Sequence, residues 1–227
     1  MSNSSSSIRA LLSPAIEDYL KTIYKLQQSG NASTKAIADA MGYSAASVTN
    51  MLKKLGDLGL ADYKSHRGVT LSPAGEKVAL EVIRHHRLLE LYLSEIMGYT
   101  WDQVHAEAEK LEHHISEQFE DKINEMLGFP KFDPHGDPIP AKDGTIPSHF
   151  GDLLTEVELQ QWYIIKRIEE QAPDFLRYIA GLGLIPGTKI YLESRAPFNG
   201  PVALILNESP LIIGKEAAQC IHVEIVE

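Results

Sequence analysis

The sequence predicts a mainly α protein with a β-rich C-terminal part: a winged helix-turn-helix, a helical module and a small β-barrel. Three observations carry this. Three serine-capped helical patterns are followed by two short strands within about 60 residues, the order of a winged helix. Helical periodicity then continues to Gly128 in a stretch rich in acids and histidines. From about residue 151, short β-rich runs alternate with Gly, Pro and Asn.

The first helix starts at Ser13-Pro14, with serine as N-cap and proline at the first helical position. Ile16, Tyr19, Leu20, Ile23 and Leu26 give it an apolar face, and it ends near Ser29-Gly30. Ser33 caps a short helix carrying Ile37, Ala40 and Met41, which Gly42 stops. Ser44 caps a third helix with Val48, Met51, Leu52, Leu55 and Leu58, which ends at Gly59. Leu60 to Tyr63 and Val69 to Leu71 read as a hairpin. Ser72-Pro73 opens a long helix to about Met97. Thr100 caps the next, from Trp101 toward Ile115, and Ser116 starts another that ends at Gly128. Residues 128 to 150 hold five of the twelve prolines and read as a partly ordered linker. Beyond it, Thr188 to Glu193, Val202 to Leu206, Leu211 to Ile213 and His222 to Val226 read as strands, with a helix near Ala172 to Ala180. The expected domains are 8–72, 73–142 and 143–227.

Composition narrows the function. The 227 residues, 44% hydrophobic and 23% charged, are those of an ordinary globular protein. No run of about 18 apolar residues suggests a membrane span. The single cysteine, Cys220, excludes an intrachain disulfide and fits a reducing cytoplasm. Met1 to Ser7, a polar serine run, lacks the apolar core of a signal peptide and reads as a disordered tail. The net charge of −10 speaks against nucleic acid, but its distribution does not. Asn31 to Gly68 carries five Lys/Arg against three Asp, whereas Glu81 to Glu125 carries four against eleven acids and holds five of the nine histidines. The front suits an anionic partner and the middle a cation.

The third helix presents Ala45, Ala46, Ser47, Thr49, Asn50, Lys53 and Lys54 away from its apolar stripe. Small residues at its start allow close approach to base edges, Thr and Ala suit a thymine methyl, and Asn50 can pair with adenine. Lys53, Lys54, Lys64 and Arg67 suit phosphates, and His66-Arg67 at the hairpin tip suits a wing touching backbone or minor groove. A solvated polar face on an ordinary helix pair is the plain alternative.

The strongest chemical signal is His105-x3-Glu109-x2-Glu112-His113. On a continuous helix, with His105 at zero, Glu112, Glu109 and His113 fall at about −20°, 40° and 80°. This stripe borders the apolar stripe of Val104, Ala108, Leu111, Ile115 and Phe119, where carboxylates repel one another unless a cation sits among them. His86-x3-Glu90 sits one turn apart on the preceding helix; alone, such a pair is more often a solvated face. His85 and His114 read as surface residues, and His135 and His149 as linker residues without a partner. Carboxylates with imidazole and no thiolate suit Mn(II) or Fe(II).

At these residues the chain resembles the diphtheria-toxin-repressor / manganese-transport-regulator family. The matching stretches are Glu17-Asp18-Tyr19-Leu20-Lys21-Thr22-Ile23-Tyr24, Arg84-His85-His86-Arg87-Leu88-Leu89-Glu90, Val104-His105-x-Glu107-Ala108-Glu109-x-x-Glu112-His113, and Pro134-His135-Gly136-Asp137-Pro138-Ile139-Pro140. The resemblance implies a primary metal site from Asp18, Glu109, Glu112 and His113, and an ancillary one from His86, Glu90 and His105. It implies a helical metal-binding and dimerisation domain and an SH3-like C-terminal barrel. Carboxylates at 18 and 109 match the manganese-responsive branch. Lys21 replaces that branch's glutamate, which favours two separated sites over a closely spaced pair there. Glu170, Gln171 and Asp174 are candidate ancillary ligands from the C-terminal domain.

The resulting expectation is a homodimeric, cytoplasmic, metal-dependent repressor of metal-uptake genes acting on a palindromic operator in double-stranded DNA. It would not be an enzyme, and metal would couple the dimerisation module to the winged helix. Two rival readings of the sequence are a winged-helix regulator answering a non-metal ligand and a metallohydrolase using His105, Glu109 and His113. The chain lacks His-Glu-x-x-His, a serine nucleophile elbow and a Walker loop.

Overall fold

In the computed structural model, residues 12–30, 32–64, 68–147 and 151–226 are described. The chain divides into two compact units. One comprises residues 1–85 with 112–114 and 140–145, and the other residues 86–111, 115–139 and 146–227.

In the first unit, α1 (Pro14–Gln28), α2 (Thr34–Met41) and α3 (Ala45–Asp57) are followed by the hairpin β1 (Ala61–Lys64) and β2 (Gly68–Leu71). Ser33 and Ser44 cap α2 and α3 by accepting from the amides of Ala36 and Ser47, as capping chemistry requires. Gly42 ends α2 in the left-handed conformation. The wing is pinned to the helices: the Leu71 amide donates to Gln27 Oε1 and the Val69 amide to the Ala32 carbonyl. Leu20, Ile23, Ile37, Val48, Leu52 and Leu55 are fully buried in one core beneath the hairpin. This is the expected winged helix. The expected wing-tip contacts, His66 and Arg67, lie outside the described residues, as does His149.

The long helix α4 (Pro73–Glu95) enters the second unit at His86. There it packs with α5 (Val104–Leu111) and α6 (Glu117–Met126) around Leu88, Leu89, Leu93, Val104, Ala108, Ile123 and Ile139. Between residues 78 and 93 most of α4 is buried, so it is packed on more than one side. His85, expected at the surface, is therefore fully buried, whereas His114 is exposed as expected.

Helix α5 stops at Leu111, and Glu112 to His114 form a turn. The continuous helix assumed for the four-residue stripe is thus corrected: Glu112 and His113 leave the helix that carries His105 and Glu109. Two interactions fix the turn. The Lys21 ammonium binds Glu112 Oε1 at 2.5 Å, and His85 Nδ1 donates to the Glu112 carbonyl at 3.1 Å.

The C-terminal sheet has the order β3-β8-β4-β5-β6-β7, antiparallel throughout. Its strands are β3 (Asp152–Leu153), β4 (Gln161–Ile168), β5 (Lys189–Arg195), β6 (Val202–Leu206), β7 (Ser209–Ile213) and β8 (Ile221–Ile225). Two short helices, α7 (Pro173–Gly181) and α8 (Lys215–Ala218), complete the domain, whose core includes Ile165, Leu176, Ile190, Leu204 and Val223. β4, the central eight-residue strand, was not among the expected strands.

The expected linker is also corrected. Asp133, His135, Asp137 and Ile139 are all buried. Asp133 Oδ1 accepts from the amides of His135 and Asp137, an Asx-type turn that locks the proline-rich stretch. Asp137 holds Arg167 and Gln171, and Gly136 (φ 87°) lies where a Cβ would fall 1.9 Å from the Lys166 carbonyl oxygen. Only glycine fits so close a backbone approach.

Candidate metal centres and nucleic-acid interface

Three groups of histidines and carboxylates converge in the described residues, each offering ligand atoms within 4.8 Å of one another: Asp18, Glu112 and His113; His86, His105 and Glu109; Glu90, Asp133 and His135.

The first group lies within the first unit. The start of α1, where Ser13 holds the N-cap position without a side-chain cap bond and Pro14 follows, places Glu17 and Asp18 in its first turns, and the turn after α5 brings Glu112 and His113 to them. His113 Nε2 stands 2.9 Å from Asp18 Oδ1 and 3.3 Å from Glu112 Oε1, while His113 Nδ1 is 2.5 Å from Glu17 Oε2. Nδ1–H therefore donates to Glu17 Oε2, and Nε2 faces the two carboxylates. This is the carboxylate–histidine arrangement common behind metal ligands. Burial disfavours the His113 cation, but bonds to Asp18 and Glu17 and the charge of Glu112 outweigh it and raise its pKa to about 9. Glu17 and Lys21, both buried, were absent from the expected ligand set. For Glu17, a carboxylate directly before Asp18 was the available signal.

The second group lies where α4 faces α5. His86 Nε2, His105 Nδ1 and Glu90 Oε1 form a triangle with edges of 3.0, 3.1 and 3.0 Å. Ligands cis to one another around a six-coordinate cation with bonds of about 2.1 Å sit about 3.0 Å apart, so these three atoms have the spacing of one octahedral face. The opposite ring nitrogens, His86 Nδ1 and His105 Nε2, each lie 3.7 Å from Glu109 Oε1. Burial alone pushes the Glu90 carboxyl up, but the neighbouring charge of His86 and the bonds from His105 and His86 hold it well below the ordinary carboxylate range.

The third group is the most buried. Glu90 is 1%, Asp133 6% and His135 0% exposed, and the sequence alone offered no partner for His135. Burial, with the charges of Glu90 and Asp137, pushes the Asp133 carboxyl well up, and burial pushes His135 down.

The C-terminal candidates do not join these groups. Glu170 is exposed and accepts from the Ala172 amide, Asp174 is exposed and pairs with Arg177, and Gln171 is spent on Asp137. The donor sets suit a hard divalent cation: carboxylates and imidazoles from separate elements, with no thiolate among them.

On α3, Ala45, Ala46, Ser47, Asn50, Lys53 and Lys54 are exposed along one face, while Val48, Leu52 and Leu55 face the core. Thr49, half-buried, donates its hydroxyl to the Ala45 carbonyl.

Comparison with known proteins agrees with both features. Residues 11–69 match the family described as "Iron dependent repressor, N-terminal DNA binding domain". Residues 72–141 match its "metal binding and dimerisation domain", and residues 153–225 match the "FeoA domain". The iron-dependent repressor IdeR of Mycobacterium tuberculosis is 28% identical over 221 residues, 92% of this chain and 96% of that protein. The transcriptional regulator MntR of Oceanobacillus iheyensis is 36% identical over 121 residues, 53% of this chain and 82% of that one. A solved manganese-dependent transcriptional repressor in complex with manganese superposes with a TM-score of 0.85 at 37% identity, covering 92% of this chain and 99% of that one. ScaR with bound Cd2+ superposes at 0.79 and 33% identity, covering 93% and 99%.

A winged helix joined to helices that gather hard metal donors defines a metalloregulator. The chain belongs to the diphtheria-toxin-repressor / manganese-transport-regulator family of metal-dependent transcriptional repressors, and its C-terminal sheet is the FeoA, SH3-like domain.

Proposed function

We propose that this chain is a DNA-binding repressor that requires Mn(II) or Fe(II), acts as a homodimer on a palindromic operator and controls metal-uptake genes in the cytoplasm. The observation that carries the reading is the meeting of Asp18, from the first helix of the winged helix, with the Glu112-His113 turn. Asp18, Glu112 and His113 would hold the primary ion; Glu109 stands instead beside His86 and His105. His86, Glu90 and His105 would hold an ancillary one. A bound ion would replace the His113 proton as the positive charge facing Asp18 and Glu112.

What the protein contributes is placement. Asp18 reports from α1, Glu112 is oriented by Lys21, and His113 is oriented by Glu17. An arrangement that gathers these groups is favoured over one that separates them, which selects one disposition of the DNA-reading helix. Ala46, Ser47, Thr49 and Asn50 would then face base edges. Lys53 and Lys54, with His66 and Arg67 of the wing, would neutralise phosphates. Among the described residues no helix is long and apolar enough to cross a membrane.

The test is fluorescence anisotropy on promoter DNA at fixed salt, with Mn(II), Fe(II) or Zn(II) titrated against a chelator control. Binding that tightens at least tenfold with Mn(II) or Fe(II) supports the reading; equal binding in chelator overturns it.

A further inference from the structure

Glu90 belongs to two groups of donors at once. Its Oε1 is taken by His86 Nε2 and His105 Nδ1, each at 3.0 Å. Its Oε2 is buried and makes no hydrogen bond. Asp133 repeats the pattern: Oδ1 accepts two backbone amides, while Oδ2 is buried without a hydrogen bond. The Arg87 Nε lies 3.7 Å from that oxygen, beyond hydrogen-bonding reach. His135 completes it. Its Nε2 lies 3.2 Å from the Trp101 carbonyl, which can only accept, so the ring proton sits on Nε2 and Nδ1 carries a bare lone pair. His135 Nδ1 too is buried without a partner.

Each of the three residues is thus held by one polar atom and leaves another bare, and one ligand atom from each lies within 4.8 Å of the other two. Two oxygens and one basic nitrogen are left unsatisfied together, each without the hydrogen bonds that water gives it in the unfolded chain. All three could instead be satisfied by one cation, which accepts lone pairs without needing a proton.

We propose that Glu90 is a bridging ligand, its Oε1 serving the His86–His105 position and its Oε2 a second, fully buried cation position completed by Asp133 and His135. Resting on the metal-dependent reading above, this assigns the helical module a carboxylate-bridged pair of divalent cations. Each chain then holds three ions with the primary one. Carboxylate-bridged metals sit about 3.5–4 Å apart, close enough for their electron spins to couple. The second position has no solvent-exposed ligand, so it exchanges its ion more slowly than the His86–His105 position, whose His105 side chain is 32% exposed.

The full-length protein, loaded with Mn(II) and freed of excess by gel filtration, is assayed for metal per chain and by low-temperature electron paramagnetic resonance. The expected result is three Mn(II) per chain and a spin-coupled signal. Asp133→Asn and His135→Gln, checked for an unchanged circular-dichroism spectrum, each fall to two Mn(II) per chain and lose the coupled signal. Glu90→Gln falls to one. The resonance measurement on the unmodified protein stands even if a variant fails to fold. Two uncoupled Mn(II) per chain, unchanged by Asp133→Asn and His135→Gln, would overturn the bridged pair and leave the repressor reading intact. No stoichiometric Mn(II) uptake at all would overturn the repressor reading itself.

Discussion

The proton on His113 competes directly with metal at the primary site, which makes metal affinity steeply pH-dependent. Its pKa in the metal-free protein is about 9, because Asp18, Glu17 and Glu112 together outweigh burial. At pH 7 the ring is then almost entirely protonated, so freeing Nε2 as a ligand lowers the apparent affinity on the order of 100-fold. The sign follows. Raising the pH from 6.5 to 8.5 removes this competition by about one decade per unit, and above pH 9 the gain stops. Without metal the linkage runs the other way. The raised pKa contributes stability that is complete below about pH 6.5 and is lost as pH climbs through 9. The assay is calorimetry of Mn(II) binding to Glu90→Gln, which lacks the shared ligand of the other positions, in two buffers of different ionisation enthalpy. About one proton should leave per ion at pH 7. An affinity that is flat between pH 6.5 and 8.5, with no proton released, would refute the placement of His113 among three carboxylates.

Other outcomes follow from the same structure. Replacing Lys53 and Lys54 with Ala should lower the slope of log affinity against log salt by about 1.8, nearly one per lost phosphate contact; an unchanged slope would place DNA elsewhere. Leu52→Ala, at a fully buried position of α3, should cost about 2–5 kcal/mol by denaturant unfolding, and a loss below 1 would mean the core beneath the wing is misplaced. Gly136→Ala demands both a left-handed φ and room that the Lys166 carbonyl occupies, so its melting temperature should drop by several degrees, whereas an unaltered one would contradict the close approach.

Capping chemistry was readable because it is local. Ser33, Ser44 and Ser116 each accept the amide that their spacing implied. The end of α5 was not readable, because Lys110-Leu-Glu-His-His-Ile carries neither glycine nor proline. The break is set by distant groups, Lys21 and His85, which hold Glu112 in a turn. That one break splits a stripe that a helical wheel shows as continuous, sending His105 and Glu109 toward His86 and Glu112 and His113 toward Asp18. The proline-rich stretch around His135 misled for a related reason. Proline density marks a stretch that cannot be helical, and says nothing of whether a buried Asp133 locks it. β4 escaped notice because Trp162 is exposed and its Tyr-Ile-Ile-Lys-Arg-Ile run alternates irregularly around a bulge near Ile165 to Arg167. The choice of hard-metal ligands needed only residue types, and the family resemblance already grouped His86, Glu90 and His105; their spacing as a donor triangle needed the fold.

The most direct trial of the account is operator affinity with and without Mn(II), compared between the unmodified protein and Asp18→Ala. Asp18 is half-exposed on α1 but is a partner of the protonated His113, so its loss should lower the melting temperature at pH 7 while leaving the circular-dichroism spectrum unchanged. The account predicts that Mn(II) tightens DNA binding of the unmodified protein by tenfold or more and that of Asp18→Ala by less than twofold. An equal Mn(II) response in both proteins would contradict it.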